Sequence, residues 1–270
     1  MSHDAIQRVF DGWAKSGRAD GMEEGHGDVV RQVIERMGIR PGQQILDLGC
    51  GHGWATRLLG QAAPGAQAIG IDASSAMIEV AESRHDFTAR ARYERGVFEE
   101  IDFKDGKFDR IFSMEALYYA VDLEKALAEM LRVLKPGGTA DIVLDRFEES
   151  PHTEAWSDQL GVSMHYLGEA AWKAAFESAG FTGVTTERVI DSRGPGDEAS
   201  FEPSEHCPTF QVRKELHEAG SLWIHAEKPE CLEPGTRASL FACWAGSRPA
   251  PVSERRPRRT YPRRPRPHAP

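Results

Sequence analysis

Nine residues restrict the folding of this chain more than any others: Ile45-Leu46-Asp47-Leu48-Gly49-Cys50-Gly51-His52-Gly53. A short apolar run bounded by glycines reads as a buried strand that ends in a tight turn. Glycine at alternate positions supplies positive φ angles and lets the backbone approach a ligand closely. The pattern over 54–59 is helical, so the first free amides of that helix point back at whatever the turn holds. Asp72 ends the second strand, 25 residues after Asp47, where a carboxylate can accept both hydroxyls of a ribose.

From residue 45 onward strand and helix patterns alternate. Strands are predicted over 45–48, 68–71, 92–95, 108–114, 140–144, 184–190 and 222–226. Helices are predicted over 54–59, 75–82 and 169–179, the last with Gly180 as its C-cap. Leu123, Leu127, Met130, Leu131 and Leu134 mark one face of a further helix, which Pro136-Gly137-Gly138 stops. Such interleaving argues for a doubly wound, parallel α/β sheet. Ahead of it, residues 5–13 form a short amphipathic helix and 17–27 a polar, glycine-rich loop. Asp28 is positioned to cap a helix carrying Val29, Val33 and Met37. Connections 147–167 and 191–220 exceed what a βαβ unit needs, and such connections build substrate pockets.

The glycine spacing does not match the dinucleotide fingerprint GxGxxG. Asp47 inside the strand would repel a pyrophosphate and suits a sulfonium and an ammonium. The stretch resembles motif I of the class I S-adenosylmethionine-dependent methyltransferases. Gly70-Ile71-Asp72-Ala73-Ser74, with Met77 below it, resembles the family's second motif. Phe108-Asp109-Arg110-Ile111-Phe112-Ser113 is similar to its fourth strand, and Leu131 to Gly138 to the turn into the fifth. The likeness runs over about residues 40–190 and is to the small-molecule group that includes ubiquinone-biosynthesis and sarcosine/dimethylglycine types. It implies a Rossmann-like, seven-stranded, mostly parallel sheet with an antiparallel last strand and helices on both faces. It also implies S-adenosyl-L-methionine as cofactor, held by Trp13, Asp47, Gly49, Cys50, Gly51, Gly53, Asp72, Ala73, Met77, Phe98, Glu99, Ser113 and Met114. Family members often carry an acid after the third strand for the adenine amino group. Here Val97 stands in that place, which shifts the task to the backbone at Phe98 and the side chain of Glu99.

Methyl transfer from a sulfonium is an in-line displacement, so positioning supplies most of the acceleration and a base is needed only for an acceptor with a proton to lose. Glu115, after the fourth strand, is the candidate base or cation-binding carboxylate; a helix N-terminal acid favoured by the dipole is the plainer reading. Glu23 and His26 lie in a segment that related enzymes fold over the pocket, although a loop histidine is more often solvated. Tyr118 and Tyr119 read equally as packing or pocket wall. No Asn/Asp-Pro-Pro-Tyr motif follows the fourth strand, which argues against nucleobase amino groups as acceptors. No cysteine pair suits pyrimidine or arsenic chemistry, and no metal-binding pattern is present.

Charge bears on partners. The net charge is −9, yet residues 246–270 hold eight arginines against the single acid Glu254, so the body is more acidic than the total suggests. An acidic body disfavours a broad nucleic-acid surface. The expected layout is a helical lid over 1–40, a cofactor-binding domain over 41–230, and a C-terminal extension over 231–270, Pro/Arg-rich and disordered from about 246. The first 30 residues are polar, no apolar run reaches membrane-spanning length, and the four cysteines lack a disulfide or zinc pattern, so a cytoplasmic enzyme is expected. The leading expectation is a small-molecule methyltransferase. The alternatives are an enzyme acting on RNA or protein with the basic tail as tether, and a non-catalytic cofactor-binding protein.

Overall fold

The computed structural model describes residues 2–18, 21–84 and 88–230; the Pro/Arg-rich extension read from the sequence lies outside them. Two helices come first, α1 (His3–Ser16) and α2 (Gly21–Met37). There follow β1 (Gln44–Leu48), α3 (Trp54–Gln61), β2 (Gln67–Asp72), α4 (Ser75–Ser83), β3 (Ala91–Arg95), β4 (Phe108–Met114), α5 (Leu123–Val133) and β5 (Leu134–Leu144). The rest is α6 (Trp156–Leu160), α7 (Glu169–Ser178), β6 (Thr182–Val189), α8 (Phe210–Ala219) and β7 (Ser221–Glu227).

Among the described residues the strands make one seven-stranded sheet in the order β3-β2-β1-β4-β5-β7-β6. β1 to β5 run parallel, and β7 is antiparallel to both β5 and β6. This is the doubly wound, Rossmann-like sheet with an antiparallel last strand that the sequence implies. Its central strands are largely buried and mostly apolar, with Asp47 and Ser113 among the buried polar exceptions. Side chains alternate across the sheet, so Leu46 and Leu48 join Ile69, Ile111, Leu127 and Trp172 in one core. Ile45 joins Val30, Val33, Leu59 and Phe112 in the other. Asp47 projects to that second face, under α3. The strand order also reverses at β1, since β2 lies on one side and β4 on the other, and ligands of open α/β sheets bind beyond such a point.

The structure corrects several local expectations. The glycine-rich stretch 17–27 is not all loop: α2 already begins at Gly21. Its buried stripe of Val29, Val30, Val33, Ile34 and Met37 outweighs the poor helix propensity of Gly25 and Gly27. Asp28 caps no helix. It lies inside α2 and accepts hydrogen bonds from Ser192 N–H (2.7 Å), Ser192 Oγ (2.8 Å) and Gln32 (2.7 Å). Leu134 does not belong to the helix before it; it opens β5 and pairs with Phe108, and a register shift carries the Pro-Gly-Gly segment before Thr139 meets Arg110. Both long connections hold helices, α6 in the first and α8 in the second. Among the described residues no helix is long and apolar enough to cross a membrane.

Candidate active site

The turn after β1 is built by its neighbour strand. Gly49 N–H and Cys50 N–H both donate to the Ile71 carbonyl, at 2.9 and 3.0 Å. Asp72 Oδ2 accepts from Gly51 N–H (2.9 Å), and Oδ1 accepts from Ser74 N–H (2.8 Å). Gly49, Gly51 and Gly53 all have positive φ, which explains the spacing. A Cβ on Gly49 would stand 2.3 Å from the Ala116 Cβ, whereas one on Gly51 would meet nothing within 4 Å. Gly49 therefore answers to packing and Gly51 to open space. Asp47 is buried beneath them and accepts from Thr56 Oγ1 at 2.6 Å. Burial pushes its pKa up to about 7, against the Thr56 bond, and the nearby Asp72 charge adds to the rise.

These groups open onto one cavity. Asp47, Gly49, Cys50, Gly51 and Asp72 form its floor, with Ala73 and Met77 beside them. Phe98, Glu99 and their neighbours Gly96 and Val97 close one end. Glu99 is buried; its Oε1 accepts from the backbone amides of Val121 (2.6 Å) and Asp122 (3.0 Å). Its Oε2 is enclosed with no hydrogen-bond partner among the described residues, and His3 Nε2 lies 3.5 Å away. An orphaned carboxylate oxygen at the end of such a cavity fits an amino group brought in by a ligand. The roof is α1, which contributes Ile6, Phe10 and Trp13, joined by Met22. Phe10 meets Trp13 and Tyr119 edge-on at centroid distances of 5.2 and 5.0 Å.

Glu115 lines the same cavity; it is buried, with φ +51. That left-handed backbone is costly for a residue with a side chain, and Glu115 N–H is held to the Val143 carbonyl at 2.9 Å. Tyr118 Oη donates to Glu115 Oε2 (2.8 Å), and Asp145 N–H donates to Oε1. Asp145 follows β5 directly, and its Oδ2 lies 3.2 Å from His26 Nδ1. Burial, then the adjacent Asp145 charge, pushes Glu115 up to about 8. Burial alone would lower His26, but the hydrogen bond and charge of Asp145, with Glu115, raise it above its ordinary value.

Most of the residues singled out from sequence thus share one cavity, Tyr119 among them, and five do not border it: Tyr118, whose hydroxyl is spent on Glu115, and four others. Gly53 packs on Tyr93, whose ring a Cβ there would strike at 2.3 Å. Ser113 donates to the Leu48 carbonyl at 2.8 Å and ties β4 to β1. Glu23 faces outward, 3.6 Å from Arg31. His26 reaches the site through Asp145 rather than the cavity wall. Glu115 heads no helix of more than one turn, which removes the dipole reading. Sequence reasoning missed Asp145, Thr56 and the α1 residues His3, Ile6 and Phe10. Asp145 could have been found from its place at the carboxyl end of a strand.

Residues 45–138 match a family model described as a methyltransferase domain. A sterol 24-C-methyltransferase of Yarrowia lipolytica is 34% identical over 175 residues, which cover 57% of this chain and 45% of that protein. An uncharacterised methyltransferase of Synechocystis is 37% identical over 162 residues, covering 56% of this chain and 72% of the other. The chain spans about half the length of the sterol methyltransferases it matches. A solved Haloferax volcanii complex of the Trm112 methyltransferase activator with a methyltransferase has a TM-score of 0.74 and 31% identity, covering 82% of this chain and 98% of that one.

Proposed function

The chain belongs to the class I S-adenosylmethionine-dependent methyltransferases, and from that premise we propose that it methylates a small molecule held against Glu115 under the roof of α1. The observation that carries this reading is the enclosure of Glu115 and the Gly49–Gly51 turn in a single cavity. S-adenosylmethionine, when bound, supplies a methyl group on an electrophilic sulfonium. Asp72 has lone pairs left on both oxygens for the ribose hydroxyls, and Gly51 leaves the room they need. Asp47, with Gly49 above it, faces the amino-acid end, and Glu99 Oε2 with the Phe98 backbone faces the adenine. Met77, Ala73 and Met114 supply apolar wall, and Trp13 covers the methyl side with Phe10. Glu115 accepts the proton of an acceptor N–H or O–H, and closure by α1 keeps water from competing.

The test is a screen of metabolite pools for S-adenosylhomocysteine release. Active fractions should lose release when Glu115 is replaced by Gln, while affinity for S-adenosylhomocysteine stays near wild type. Full release in Glu115→Gln would remove the residue from the chemistry. A second reading, a methyltransferase that works with a protein activator, is favoured by one observation: the Haloferax relative is a complex with Trm112. Stable co-purification with an activator of that type, together with release that depends on it, would establish that reading.

A further inference from the structure

Glu115, Asp145 and His26 come from three different elements: the end of β4, the end of β5 and the interior of α2. Placing two carboxylates side by side in a buried site is unfavourable, because each charge raises the cost of the other. The fold accepts that cost and offsets it with hydrogen bonds aimed at each acid. Asp145 N–H and Tyr118 Oη hold the two oxygens of Glu115, and His26 Nδ1 faces Asp145 Oδ2 at 3.2 Å. His26 itself is fixed from outside. Arg193 donates to the Glu24 and Gly25 carbonyls at 2.7 and 3.1 Å, and Ser192 binds Asp28, so the loop after β6 is stapled to the turn of α2 that carries His26.

This inference rests on the role given to Glu115 above. We propose that His26 and Asp145 are a positioning ion pair: Asp145 holds the Glu115 carboxylate toward the cavity, His26 neutralises Asp145, and Glu115 is thereby left as the one group of the three that changes charge beside the sulfonium. The other charged or titratable groups facing the cluster are Tyr118 and Tyr119 from the turn after β4, Arg146 next to Asp145, and Arg193. Burial raises both tyrosines, so they stay neutral across the working range, and the arginines stay charged. Asp145 raises His26 above its ordinary value against burial, and His26 in turn lowers Asp145 against its burial. Of the two, Asp145 acts on Glu115 more strongly than His26 does.

The consequence is a pair of opposite shifts that packing alone would not produce. S-adenosylmethionine is cationic at sulfur and S-adenosylhomocysteine is not. The ratio of their affinities therefore reads the charge on Glu115, and any effect of Asp47 on the shared ammonium cancels. Calorimetry of the full-length chain with both compounds, from pH 5.5 to 9.5, should show the ratio turning toward S-adenosylmethionine as Glu115 ionises. In His26→Gln the midpoint should move up by about one pH unit, and in Asp145→Asn, which keeps the backbone N–H, it should move down. Glu115→Gln should abolish the pH dependence. Midpoints that stay fixed, or move the same way in both variants, overturn the positioning pair while leaving Glu115 in place. A pH dependence that survives Glu115→Gln overturns the role of Glu115 itself. Should Asp145→Asn fail to fold, nitrogen NMR of His26 in the wild-type chain tests the pair independently. An imidazolium persisting above the ordinary histidine range supports the pair, and titration at or below that range refutes it.

Discussion

Asp11 and Ser74 stand 63 positions apart and share a hydrogen bond of 2.5 Å from the serine hydroxyl to the carboxylate. Ser74 is the N-cap of α4 and lies two residues beyond Asp72, so the bond ties the roof of the cavity to the edge of its floor. The tie is one of three. His3, Gln7 and Asp11 are spaced one helical turn apart along α1 and reach Glu99, Arg95 and Ser74 respectively. The same helix turns Ile6, Phe10 and Trp13 inward. One amphipathic helix thus does two jobs with two faces.

Loosening that tie should show in cofactor kinetics. Asp11→Ala removes an acceptor for a hydroxyl and for the Ala76 amide, worth ~1 kcal/mol. The dissociation rate of S-adenosylhomocysteine should rise about fivefold in stopped-flow measurements. An unchanged rate would show that this bond does not hold the roof down.

Asp72→Ala should weaken S-adenosylmethionine binding by ~1.5–3 kcal/mol, the range for hydrogen bonds to a charged acceptor. It should also lower the melting temperature, because the Gly51 and Ser74 amides lose their acceptor. Calorimetry showing unchanged affinity would take the ribose away from Asp72.

Two glycines of one turn should fail in different ways. Gly49→Ala puts a Cβ 2.3 Å from the Ala116 Cβ at φ +72, so the fold itself should suffer. Gly51→Ala meets no atom, and its φ of +52 costs about 1–2 kcal/mol. Its Cβ faces the cavity, so binding should fall further than stability does. Thermal melts set beside calorimetric titrations separate the two effects. Equal losses of stability in both variants would refute the distinction.

The pH dependence follows from Asp47, whose pKa is pushed up to about 7 by burial. An unfolded aspartate ionises near 3.8, so over that interval the folded state holds a proton that the unfolded state has lost. The stability contributed by Asp47 is complete below about pH 4 and is lost as pH rises toward 7. Ligand affinity runs the other way, since the ionised carboxylate attracts the ammonium of S-adenosylmethionine. Below pH 7 binding should release a proton, visible as a dependence of calorimetric heat on the buffer's ionisation enthalpy. With S-adenosylhomocysteine, which keeps the ammonium but lacks the sulfonium that senses Glu115, Asp47→Asn should lose that dependence. If the heat is already independent of buffer in the wild type, Asp47 is not the coupled group.

The floor of the cavity was legible in the sequence because it is local. Gly49, Gly51 and Asp72 have requirements set by a turn and a strand end, which a few neighbouring residues encode. The roof was less legible. The helix carrying Val29, Val33 and Met37 was legible from its periodicity, but its first turns from Gly21 were hidden by Gly21, Gly25 and Gly27, whose poor propensity tertiary burial overrides. Ser113 looked like a cavity residue from its place after the fourth strand, yet its hydroxyl is spent on Leu48, 65 positions away. Asp145 was missed for the same reason. Its place after the fifth strand was readable, but its pairing with Glu115 follows from β4 and β5 lying in register.

The position of β1 carries a consequence for how the chain matures. Asp47 pairs with Gly70 on one side and with Phe112 on the other, so the central strand needs partners that are remote along the chain. Non-local pairing of this kind slows folding, because loops must close before contacts reward them. The glycine turn acquires its shape only after β2 has docked and offered the Ile71 carbonyl. A chain in which β2 has not docked has no place for the nucleoside. The ligand therefore selects finished molecules: at a concentration one hundredfold above its dissociation constant it would add ~2.7 kcal/mol to the native state and nothing to its precursors. The cofactor then stabilises only chains whose central strands have paired, and a rise in melting temperature with its concentration would report it.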